Sequence, residues 1–133
     1  MTCRAYSTVC SYKKILLETD ELDELIQKKP TDLTILNASY MTATIPNQHE
    51  YHKKGRIPGS LFFDFNRFSN YDSPYSYTIP TEEQFGAEMR NLKVKHTDQI
   101  VVYDKIGKVS APRAYWLLKL YGLPNVRILN GSF

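Results

Sequence analysis

Residues 98–122 read Asp98-Gln-Ile100-Val-Val-Tyr103-Asp104-Lys-Ile-Gly107-Lys108-Val-Ser110-Ala-Pro112-Arg-Ala-Tyr-Trp116-Leu-Leu-Lys-Leu-Tyr-Gly122. The β-branched run Ile100 to Tyr103 is the composition of a strand buried on both faces. From Ser110 the pattern becomes helical: Pro112 fits a first turn, where its missing N–H is no loss, and Gly122 stands where a helix takes its C-terminal cap. The intervening residues 104–110 contain Gly107 and suit neither element. Strand, tight loop, then helix is the repeating unit of a parallel α/β fold.

The same unit extends in both directions. Leu33-Thr-Ile-Leu36 is too short and too evenly apolar for an amphipathic helix and reads as a buried strand. Leu61-Phe-Phe-Asp64, entered through the turn Ile57-Pro-Gly-Ser60, and Val126-Arg-Ile-Leu129 read likewise. Before the first strand, Leu22, Leu25 and Ile26 share one helical face, with Thr19 or Asp20 as cap and Pro30 beyond the end. Thr81-Glu-Glu-Gln84 is a capping box and predicts a helix from about 81 to 91. The expected class is α/β, a parallel sheet with helices on both faces. No helix follows Leu129 in this sequence to close that edge of the sheet.

Length and composition agree with one domain. A chain of 133 residues with 42% hydrophobic and 23% charged side chains can bury roughly two-thirds of its unfolded surface without disulfides or metal. The net charge of +3 is not clustered as a nucleic-acid footprint would be, so no nucleic-acid partner is expected. Cys3 and Cys10, the two cysteines, form no disulfide framework. No apolar run approaches the ~20 residues that span a bilayer. We divide the chain into residues 1–18, an N-terminal arm, and residues 19–133, the folded domain. Residues 1–14 carry Arg4, Lys13, Lys14 and four Ser or Thr with no carboxylate, so the arm also reads as a mitochondrial presequence; otherwise the location is cytoplasmic.

In sheets of this kind ligands bind beyond the carboxyl ends of the strands. The candidate is the loop Asp104, Lys105, Ile106, Gly107, Lys108, Val109. Its amides and the helix start at Ser110 favour negative charge, and Lys105, Lys108, Ser110 and Arg113 are the candidate anion-binding residues. It is not a P-loop, because Gly107-Lys108 lacks the earlier glycine and the following Ser or Thr. The carboxylate of Asp104 has two readings: a remnant of an anion site, or a group that itself accepts the loop N–H bonds. Arg113 and Trp116 read either as packing or as ligand recognition.

Two surface features could meet a partner. Tyr71, Tyr75 and Tyr77, with Pro74, offer large contact area at low entropic cost; the bland alternative is local packing. Lys53, Lys54 and Arg56 form the densest basic patch, suited to phosphate or an acidic surface unless simply solvated. His49-Glu50-Tyr51-His52 lacks the i, i+4 spacing of a zinc helix and His96 stands alone, so no metal or cofactor is expected.

Several separated blocks together resemble a rhodanese domain, and more narrowly the N-terminal half of two-domain thiosulfate and 3-mercaptopyruvate sulfurtransferases. These are Ile35-Leu-Asn-Ala-Ser39, Tyr51-His-Lys-Lys-Gly-Arg-Ile-Pro-Gly-Ser60, Phe62-Phe-Asp64, Ser73-Pro74, Ile79-Pro-Thr-Glu-Glu-Gln-Phe85, Val101-Val-Tyr-Asp104, Ser110 to Trp116, and Val126 to Gly131. The resemblance implies a catalytic Cys at the first loop position, carrying sulfane sulfur as a persulfide. Here that position is Asp104, so no catalytic residue is expected in this chain, as in the family's own N-terminal halves. Other departures are Asn37 for a common Asp, Arg56 for a common His and Ser132 for Gly. The implied role is support of a catalytic half absent from this sequence, a second rhodanese domain. The alternative is a silent scaffold subunit of a larger, mitochondrial assembly. A phosphatase of related fold would also need Cys at 104 and an Arg closing the loop.

Overall fold

The computed structural model describes residues 14–40, 52–105 and 109–131. Five parallel strands form one sheet in the order β1-β5-β4-β2-β3: β1 (Leu16–Leu17), β2 (Leu33–Asn37), β3 (Leu61–Phe62), β4 (Gln99–Tyr103) and β5 (Val126–Leu129). Helix α1 (Thr19–Gln27) follows β1, α2 (Glu82–Asn91) precedes β4, and α3 (Ala111–Leu120) joins β4 to β5.

Period-two alternation divides the strands between two cores. Leu36, Ile100, Val102, Val126 and Ile128 face α2 and α3, packing with Phe85, Met89, Ala114, Leu117 and Leu118. Leu17, Ile35, Val101, Tyr103 and Leu129 face the other way, onto Leu22, Leu25 and Ile26 of α1 and onto Ile57. β4 lies at the centre, bonded to β2 on one side and β5 on the other, and Val101, Val102 and Tyr103 have no exposed surface at all.

The helix ends follow local chemistry. At α2 the Thr81 hydroxyl accepts from the Gln84 amide at 3.2 Å, and the Gln84 side chain accepts from the Thr81 amide at 3.0 Å, which is the capping box read from sequence. At α3, Pro112 occupies the first turn and Gly122 takes φ +83° just past the end, a conformation that favours glycine. α1 differs from expectation at its start: Glu18, not Thr19 or Asp20, is the cap, and Glu21 accepts from the Glu18 amide at 2.8 Å.

One element was not expected from sequence. Leu16 and Leu17, within the segment read as an arm, pair with Ile128 and Leu129 and form strand β1. The edge position beside β5, read from sequence as lacking a closing helix, is taken by β1. A two-residue strand has no periodicity to detect; it exists because Leu17 is buried in the α1-side core and Ile15 O and Leu17 O accept from Ile128 N and Asn130 N at 2.8 and 2.7 Å.

Candidate functional site at the end of the central strand

The loop after β4 is pinned at both ends to the turn after β2. Ala38 N donates to Tyr103 O at 2.8 Å, extending the β2–β4 ladder past the strand ends. At the loop's start, Lys105 N donates to Ser39 Oγ at 3.2 Å; at its close, the Ser110 hydroxyl donates to Ala38 O. Between these ties stands Asp104, almost fully buried. Its Oδ2 accepts from Ser110 N and Ala111 N, each at 2.9 Å. The carboxylate thus sits where the first amides of α3 present partial positive charge. Of the two readings of Asp104, the hydrogen bonds are those of a group that fills the amide cradle itself.

The β2 turn is held by a buried polar chain. Asn37 Oδ1 accepts from Ser39 N at 3.2 Å and from the Ser39 hydroxyl, an Asx turn. Asn37 Nδ2 lies 2.9 Å from His52 Nδ1, and His52 Nε2 lies 2.8 Å from Arg56 Nη1. On the far face of β4, the Tyr103 hydroxyl accepts from Ile57 N at 3.1 Å and contacts Ser60 Oγ at 3.1 Å. Ser39, Asn37 and His52 were not singled out as site residues from sequence. The signal for the first two was present in Asn37-Ala-Ser39 directly after a buried strand; that for His52 was not, because its partners are 15 residues before and 4 after it.

The sequence-derived candidates separate in space. Lys105 stands in the loop, where burial pushes its ammonium below the usual lysine range. Ile106, Gly107 and Lys108 lie outside the described residues. The Arg113 guanidinium is directed elsewhere: Nη2 donates to Tyr77 O at 2.8 Å, and the group lies 5.3 Å above the Trp116 ring. It contributes to a cavity of about 330 Å³ beside the loop, whose other walls are Tyr40, Phe65, Tyr77, Val109 and Ser110. Tyr40 and Phe65 carried no sequence signal for a site.

The three tyrosines do not act alike. Tyr71 and Tyr75 are exposed, whereas Tyr77 is half-buried with its ring 5.1 Å from that of Tyr40. Burial first, and then Tyr40, raise the Tyr77 hydroxyl above its usual range. Lys53 and Lys54 are exposed, but Arg56 is separated from them by its contact with His52. His96 is exposed and its Nε2 lies 2.9 Å from Gly122 O. Among the described residues no group of His, Cys, Asp and Glu could hold a metal ion, and no helix is long and apolar enough to cross a membrane.

The rhodanese-like domain family model matches residues 18–133. The chain belongs to the rhodanese-like family. It is 42% identical over 86 residues to a thiosulfate sulfurtransferase of Saccharomyces cerevisiae, spanning 65% of this chain and 28% of that protein. It is 32% identical over 124 residues to thiosulfate sulfurtransferase of Rattus norvegicus, spanning 90% and 42%. The crystal structure of a 3-mercaptopyruvate sulfurtransferase of Escherichia coli superposes with a TM-score of 0.82 at 32% identity, over 91% of this chain and 46% of that one. The sulfur transferase subunit of yeast mitochondrial complex I superposes with a TM-score of 0.78 at 32% identity, over 87% and 38%. This rhodanese-like chain therefore spans less than half the length of these relatives, and the part matched is their N-terminal half.

Proposed function

We propose that this rhodanese-like chain is a non-catalytic half of a thiosulfate or 3-mercaptopyruvate sulfurtransferase, supporting a catalytic rhodanese domain. One observation carries the reading. At the loop position where the family resemblance calls for a Cys, Asp104 stands with its carboxylate bonded to Ser110 N and Ala111 N. Sulfane sulfur transfer needs a thiolate that can hold and release a sulfur atom. A carboxylate cannot do this, and its charge repels a second anion from the same amides. What remains useful is the rigid platform: the β2 turn and the β4 loop tied together, with the 330 Å³ aromatic cavity beside them.

The test is sulfur transfer from thiosulfate to cyanide by the purified chain. The expected result is no turnover and no cyanide-labile sulfur. Turnover that survives alkylation of Cys3 and Cys10 would overturn the reading.

A second reading draws on the complex I sulfur transferase subunit among the structural neighbours. In it the chain is a silent scaffold within a larger mitochondrial assembly, with Tyr71, Tyr75 and the Lys53–Lys54 patch as contact surface. Native electrophoresis of the endogenous protein separates the two. A species of about 30–35 kDa, two domains in size, supports the sulfurtransferase half, and one of several hundred kilodaltons the assembly.

A further inference from the structure

Residues 74–79, between the turn in which Ser73 N donates to Asn70 O and the start of α2, are held at few points. Tyr77 takes φ +56°, where the Cβ of an L-residue crowds the backbone. Lys29 and Lys93, the other non-glycine residues with positive φ among the described residues, each follow the end of a helix, where a left-handed residue satisfies the last carbonyls. Tyr77 has no such setting, and a bulky residue persists in this conformation only where its surroundings hold it. The next residue adds to the cost. The Thr78 hydroxyl is buried with no hydrogen-bond partner, and an unmet polar group raises the energy of the state that buries it.

Two contacts oppose this. The Tyr77 side chain meets Tyr40, ring centroids 5.1 Å apart, and Arg113 Nη2 donates to Tyr77 O at 2.8 Å. Of the backbone groups of 74–79, only Tyr77 O is bonded to a distant part of the chain among the described residues. The donor is exposed on α3, its guanidinium 5.3 Å above the Trp116 ring. Tyr77 is also the shared wall of two cavities: the 330 Å³ cavity beside the loop after β4, and one of about 240 Å³ lined by Asn66, Asn70, Ser73 and Tyr75.

We propose that residues 74–79 form a strap with two positions, latched by Arg113 on Tyr77 O, whose release moves Tyr77 and joins the two cavities into one larger site. On release Tyr77 leaves the left-handed region and the Thr78 hydroxyl reaches water, so the closed position itself holds the free energy that favours opening. The exposed latch is the contact that balances it. The Asp104 carboxylate plays no part, and the strap works whether or not the chain supports a catalytic half.

The test is cleavage of the folded full chain by dilute chymotrypsin, which cuts after aromatic residues, with the sites read by mass spectrometry. Where opening is fast against cutting, the rate after Tyr77 follows the open population. Arg113→Met, which keeps an apolar stem over Trp116 but has no donor, is expected to raise that rate by about tenfold. Thr78→Val, a methyl of the same shape in place of the unpaired hydroxyl, is expected to lower it. Lys119→Gln, which removes an exposed cation from the same helix, leaves it unchanged. Cuts after Phe63 and Phe85, both in the core, report global unfolding and stay level. An Arg113→Met rate within about twofold of the parent, faster cutting in Thr78→Val, or cuts at Phe63 and Phe85 rising in step overturns the proposal.

Discussion

One Asp104 carboxylate oxygen and the Ser110 amide nitrogen, six residues apart in sequence, stand 2.9 Å apart in space, and the same oxygen takes the Ala111 amide at the same distance. The loop is thereby closed on itself from within. A side chain at the strand's end caps the helix that the strand feeds, a task usually left to the residue adjoining the helix. Ser110, which holds that place, makes no cap of its own because its hydroxyl is given to Ala38 O.

Asp104→Ala should therefore destabilise the domain by about 2–3 kcal/mol, because two buried N–H groups lose a charged acceptor. Asp104→Asn, which keeps one acceptor oxygen, should lose less. Urea unfolding followed by circular dichroism checks both, and a loss under about 0.5 kcal/mol in Asp104→Ala would mean the cradle is not closed by this group.

Asn37 gives a prediction of opposite sign for two substitutions. Its amide NH2 and the Arg56 guanidinium both approach His52, at 2.9 and 2.8 Å, whereas a neutral imidazole has one acceptor nitrogen. A carboxylate at position 37 would accept from the ring nitrogen facing it while still serving Ser39. Asn37→Asp is expected to match or exceed the parent's stability at neutral pH. Asn37→Ala should lose about 2 kcal/mol, since the Ser39 amide is left without its acceptor. Denaturant midpoints with unchanged slope are the measurement.

Thr81→Ala removes half of the capping box of α2 and should cost about 1 kcal/mol. In a domain of this size that lowers the melting temperature by roughly 3–5 °C. Glu83→Ala in the same turn, exposed and outside the box, is the control and should move it far less.

Alkaline pH should weaken the fold. Burial raises the hydroxyls of Tyr77 and Tyr121 above the ordinary tyrosine value of 10.0. A folded-state value above the unfolded one means stability is complete below pH 10.0 and falls as pH rises through the folded-state value. Lys105, lowered by burial, works the other way, its contribution rising with pH between its lowered folded-state value and the ordinary 10.5. Tyr121→Phe loses the hydrogen bond to Pro80 O at neutral pH but should show a shallower decline above pH 10.0. Thermal melts between about pH 8 and pH 11 compare the two slopes.

What the sequence determined by itself were the features whose signal lies within one segment. The β-branched run of β4, the Thr81–Gln84 box, Pro112 at the start of α3 and Gly122 past its end each encode one element through sterics or a local hydrogen bond, and each stands in the structure as read. Asp104 at the loop's first position was likewise legible as a carboxylate where the family resemblance implies a Cys. Tertiary structure alone decided the rest. Leu16 and Leu17 become a strand because β5 offers an open ladder and α1 a core for Leu17. Arg113 turns to Tyr77 O, 36 residues away, and His52 joins Asn37 to Arg56. A cavity at the amino ends of β2, β4 and β5 is lined by five separate stretches of chain. These contacts depend on where distant backbone groups come to lie, and that is fixed only when the two cores have packed on the two faces of the sheet.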